Sequence, residues 1–181
     1  MREADFRALL DDDGILQRGA LPAPPRSAAF TVFGQREDAR VEAEVWQRHA
    51  AQFFDARLEL SVPKSYTFDA PDTDAAEVVV STATVPEATR LCYGRPRTDD
   101  DLHAAEDADV RAGAAGLGKL AQRCHTVWLV VTEREADRVA LLVAAILASV
   151  VLGPILSPDG GQLFGVRTAR MKLEGNVGPY R

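Results

Sequence analysis

The chain is short of lysine, cysteine and paired metal ligands, and it has no charge at all across residues 139–156. Its 21 Lys and Arg are outnumbered by 27 Asp and Glu, for a formal charge of −6. Without a basic excess there is no general electrostatic footprint for a nucleic acid backbone. Only Lys64, Lys119 and Lys172 are lysines; the other basic residues are arginines. With abundant Ala, Val, Asp and Gly, that bias suggests a bacterial, GC-rich source. The two cysteines, Cys92 and Cys124, and the three histidines, His49, His103 and His125, lack the close pairing of a zinc site. The opening Met1-Arg2-Glu3-Ala4-Asp5 has no apolar leader segment. Two reduced thiols in a cytoplasmic protein are therefore expected. No internal repeat or low-complexity stretch is present.

What the chain does have is the run VALLVAAILASVVLGPIL over 139–156. It is close to the length of a membrane-spanning helix. Pro154 lacks an amide donor, so a helix should stop near Leu152 and fall short of a bilayer. Neither a basic cluster nor a Trp/Tyr belt flanks the run. Thr132-Glu133-Arg134-Glu135 fits a capping box and predicts a helix start at Glu133. A soluble helix that is apolar all round must be buried all round. Val139, Leu142, Val143, Ile146, Leu147 and Val150 are expected to face a sheet. Ala140, Ala144, Ala145, Ala148 and Ser149 make a small-residue face, suited to the glycine-rich segment 113–118 or to a second copy of the chain.

The remaining pattern gives an α/β domain: a mixed central sheet with helices packed on it. Residues 1–27 read as a helix (2–10, with Phe6, Leu9 and Leu10 on one side) and a Pro-rich tether, 28–173 as the domain, and 174–181 as a loose tail. Strands are expected at 28–34, 57–62, 76–83 and 125–132, with helices at 37–54 and 99–123. Pro86 is expected to open a short helix toward Cys92, and 162–173 to form one or two strands. Asp99, Asp100 and Asp101 suit a helix start.

Few residues suggest chemistry. Gly113–Lys119 matches GxxxxGK, but Leu120 stands where Ser or Thr would hold magnesium, and the segment follows a helix rather than a strand. Cys124 is a weak candidate for a reactive thiol, because neighbouring His125 should point to the opposite face. No cofactor or catalytic set is expected. Tyr66 and Phe68, with Arg95, Arg97, Arg167, Arg170 and Lys172, are the candidate contact residues, since aromatics and arginines dominate binding hot spots. The sequence thus predicts a protein-binding module of accessory, adaptor or immunity type, with self-association as a further expectation. An enzyme with a site near Cys124 and Gly113–Lys119 is the first alternative. Membrane association through 139–156 is the second.

Overall fold

The structure is a computed structural model and describes residues 24–61, 75–83, 85–113, 116–133 and 137–175. A 3-10 turn, Arg26–Ala28, leads into β1 (Ala29–Gly34) and α1 (Ala43–Phe54). Three strands follow: β2 (Arg57–Ser61), β3 (Ala75–Ser81) and β4 (Ala88–Pro96). Helices α2 (Asp99–Arg111) and α3 (Leu117–Gln122) precede β5 (Thr126–Val131) and α4 (Arg138–Val151). The chain continues through β6 (Ile155–Leu156), β7 (Leu163–Phe164) and α5 (Val166–Glu174). The seven strands form one sheet in the order β2-β3-β4-β5-β1-β6-β7, antiparallel at every pairing. This is the single α/β layered domain that the alternation of elements predicts, but its sheet is antiparallel throughout rather than mixed. The expected helix at 2–10 and the connection carrying Tyr66 and Phe68 lie outside the described residues.

Successive strand residues point to opposite faces. One face carries Phe30, Val32, Val78, Val80, Cys92, Trp128, Val130 and Ile155, which join α1, α4 and α5 in the larger core. The other carries Phe33, Val127, Leu156 and Leu163, which meet α2 and α3 in a smaller cluster. Burial on both faces accounts for the continuous apolar runs in β1 and β5.

Helix α4 is the centre of the larger core. Twelve of its residues are buried, the alanines among them. Each Val, Leu or Ile so enclosed contributes about 1.5–3 kcal/mol. The helix ends as Pro154 requires: Leu152 is its left-handed C-cap, at φ 57°. Gln35 covers the free carbonyls, with its backbone amide on Val151 O at 3.1 Å and its side-chain amide on Leu152 O at 2.5 Å. The start differs from expectation. The cap is Asp137, whose carboxylate accepts from the amides of Val139 and Ala140, both at 3.0 Å. Thr132 donates instead to Ala28 O. Asp137 also takes a bidentate pair from Arg90 of β4, at 2.8 and 3.0 Å, and Arg90 reaches Glu133 at 3.1 Å. One carboxylate therefore caps the helix and ties it to the sheet.

The small-residue face of α4 is occupied within the chain. Ser149 donates to Ile146 O and accepts from His49 Nδ1 of α1 at 3.0 Å. Ala140, Ala144, Ala145 and Ala148 are all closed to solvent. This corrects two expectations. The glycine segment lies with α2 and α3 across the sheet, so it is not the partner, and no second copy can reach this face.

Four boundaries also move. Helix α1 begins at Ala43, later than 37. The segment after Pro86 is a strand, not a helix, because Arg90, Cys92 and Gly94 alternate inward against Leu91 and Tyr93. The expected helix 99–123 is two helices, broken where Gly113 and Gly116 take φ of 91° and 89°. Residues 162–173 are the two-residue β7 and then α5 rather than strands alone. The acidic helix start stands: Thr98 and Asp101 form a reciprocal capping box at the head of α2.

Two substitutions test this account. Asp137→Asn should cost about 3–5 kcal/mol, because Arg90 is left buried beside a neutral partner. Burial alone would raise the Asp137 carboxyl, but the Arg90 guanidinium and the amides of Ala140 and Glu133 outweigh it and hold the group below the usual carboxylate range. Its stabilisation is thus present above about pH 4 and is lost as pH falls through the lowered value. Acid titration of thermal stability should show this loss in the native chain and a shallower one in the variant. Gly153→Ala should also destabilise, since its Cβ would lie 1.9 Å from Phe33 O and force β1 to shift. Chemical denaturation should show a loss near the upper end of about 1–3 kcal/mol.

Candidate interaction surface

The GxxxxGK segment is filled from within. Asp109 of α2 accepts from the amides of Gly116 and Leu117 at 3.2 and 3.3 Å, at the head of α3. A Cβ on Gly118 would meet the same carboxylate at 3.2 Å. A carboxylate of this chain thus holds the amides that a phosphate would need. The glycines serve the turn and the close approach of α3 to α2.

Cys124 lies in the smaller core, fully buried, with its thiol donating to Leu120 O at 3.3 Å. Burial pushes the thiol up to about 11 despite the nearby Arg97 charge. His125 is exposed and does not bond to it. Cys92 sits in the larger core and is raised further by burial. Among the described residues no group of three His, Cys, Asp or Glu side chains is arranged to hold a metal ion.

The candidate arginines divide by location. Arg95 projects from β4 into a bidentate pair with Asp101 at 2.6 and 2.9 Å, which holds the head of α2 on the sheet. Arg97 donates from Nε to Cys124 O at 2.8 Å, and its Nη1 is enclosed without a partner. Both arginines hold the domain together. By contrast, Arg167, Arg170 and Lys172 stand on α5, where only Ala169 is fully buried, and none makes an ion pair with a described residue.

Helix α5 forms a ridge between two concavities of about 740 Å³ each, both of which Arg138 also lines. The Arg138 guanidinium donates to Leu173 O and so joins the start of α4 to the end of α5. On one side, a groove runs between the C-terminal turn of α1 and α5, lined by Phe53, Phe54, Leu142, Arg170 and Leu173. Phe53 is 41 % exposed, which is high for an aromatic ring. Beside it the Arg170 guanidinium lies 5.9 Å above the Phe54 ring. On the other side, a hollow opens over Phe30, Leu141 and Phe164, with Lys172 at its rim. Sequence reasoning found Arg170 and Lys172 but missed the phenylalanines. Phe53 and Phe54 share the apolar side of α1 in the helical pattern, which assigns both to the core.

Comparison with known protein families, with characterised proteins and with solved structures finds no significant match.

The Cys124 geometry predicts an inert thiol. A value of about 11 leaves roughly one thiolate in 10,000 at neutral pH, against a few per cent for an ordinary cysteine. Iodoacetamide at pH 7 should label the native protein far more slowly than the unfolded one. Comparable rates in the two states would show the thiol to be accessible and activated.

Proposed function

We propose that this chain is a non-enzymatic protein-binding module, of accessory, adaptor or immunity type, acting in a bacterial cytoplasm. The observation that supports this is the exposed Phe53 beside the Arg170–Phe54 stack. An aromatic and an arginine side by side in a concave, partly dry setting is hot-spot chemistry. The partner is a protein segment with an apolar anchor next to a carboxylate. The anchor enters between Phe53 and Leu142, and the carboxylate meets Arg170. The guanidinium presents a planar fork for such a group and has no acidic partner among the described residues. Asp55 and Glu174, also lining the groove, repel acids placed elsewhere and so select register.

The alternatives have less support. The buried, proton-bearing Cys124 does not favour an enzyme centred on it. No helix among the described residues is long and apolar enough to cross a membrane.

The test is an affinity capture from the native host, quantified by mass spectrometry, with the native chain and two surface variants. Phe53→Ser and Arg170→Glu alter exposed side chains, and circular dichroism should show both variants folded. Each should remove the same small set of proteins, weakening capture by about tenfold or more. Retention of the same set by both variants would exclude this groove as the binding site.

A further inference from the structure

The hollow on the far side of α5 carries a different chemistry. Its floor is apolar: Phe30, Leu141 and Phe164 are each less than one-tenth exposed. Its volume, about 740 Å³, suits a small organic molecule. Three acidic side chains border it, and each is already engaged. Asp137 is fully enclosed by Arg90 and the α4 amides. Glu133 is paired with Arg90. Asp159 is held in its own turn by the Ser157 hydroxyl at 2.5 Å and the Gly161 amide at 2.9 Å.

The two cations at the rim are not engaged in the same way. Lys172 donates one bond, to Gln162 Oε1 at 2.8 Å, and its ammonium stands 5.3 Å above the Phe164 ring. Arg138 donates to the neutral carbonyl of Leu173. An ammonium has three donors and a guanidinium five, so most of their bonding capacity is open. The open donors beside the apolar floor are therefore those of the two cations, while the open charged acceptors at the edge are the second oxygens of Glu133 and Asp159.

We infer that this hollow binds a small organic anion with an apolar body, its carboxylate on Lys172 and Arg138 and its body on Phe30, Leu141 and Phe164. Lys172 contributes a point charge held in place by Gln162 and the aromatic ring. Arg138 supplies a second donor group. The site shares Arg138 with the protein-binding groove but has its own cation and floor: Lys172 faces the hollow and Arg170 the groove, so variants at these two residues test the readings independently.

Isothermal titration calorimetry of the full chain with three probes of one shape tests the inference: 2-naphthoate, neutral 2-naphthamide and cationic 2-naphthylmethylammonium. The naphthoate should bind one to one, about tenfold or more tighter than the amide, with the cation weakest. Lys172→Met should bring the naphthoate most of the way down to the affinity of the amide, with Arg138 keeping the remainder, and leave the amide unchanged. Leu141→Trp, which fills the floor, should weaken both, with circular dichroism confirming a folded chain. Absence of saturable naphthoate binding, equal affinity for acid and amide, tighter binding of the cation, or a Lys172→Met variant with native affinity would each overturn the assignment.

Discussion

A helix whose residues 139–151 carry no charge and no polar side cannot rest on a surface, and α4 imposes that constraint on the whole domain. Its sheet-facing residues need a broad apolar floor, which β1, β3, β4, β5 and β6 provide. Its remaining sides need other helices, which α1 and α5 provide. Apolar burial gives no direction along the helix axis, and Asp137 supplies it. By capping α4 and pairing with Arg90, the carboxylate fixes where on the sheet the helix begins. Pro154 and Gly153 fix where it ends, with Gly153 so close to Phe33 that no side chain fits. Contacts that carry no position are thus set by a few polar and steric ones that do.

The two faces of the sheet are built differently as a result. The α4 face is thick, with long side chains and the edge-to-face Trp46–Trp128 pair, 5.0 Å between centroids. The opposite cluster is thin. Ala105, Ala108, Ala121 and Cys124 let α2 and α3 lie close to Phe33 and Val127. Asp109 and Asp101 do there what Asp137 does on the other side: Asp109 accepts from the head amides of α3, and Asp101 from the Thr98 amide at the head of α2. Both described concavities open on the thick side, around α5.

Much of this was legible in the residues because local rules and burial agree. β1 and β5 read as continuous apolar strands, α4 stops at its proline, and the triple aspartate heads α2. The failures have physical causes. β4 hid its alternation because one inward residue is Arg90, whose partner lies 47 positions away. With Arg90 counted as polar, the period-two pattern disappears. α5 is nine residues long, and Val166, Ala169, Met171 and Leu173 satisfy a strand and a helix almost equally; packing against α4 decides it. The capping box at Thr132 was a sound local pattern that lost to Asp137, whose carboxylate caps the helix and takes the bidentate pair from Arg90. At the site, a basic cluster was visible in α5. Its meaning depends on Phe53, Phe54 and Phe164, which come from two other elements.

The arginines show why residue type alone does not find a surface. Arg90, Arg95 and Arg97 belong to β4 or directly follow it, and β4 lies inside the sheet. A charge there must meet an acid or a carbonyl or remain at high cost. Asp137, Asp101 and Cys124 O fill that need, so these cations tie the architecture together. Helix α5 lies on the outside of α4 and is held mainly by Val166, Ala169 and Leu173. Its charges need no partner to fold, so the fold leaves them free for recognition. The two that line concavities differ in kind: the flat guanidinium of Arg170 stacks on the Phe54 ring, while the compact ammonium of Lys172 stands over Phe164 at the rim of an open, apolar-floored hollow.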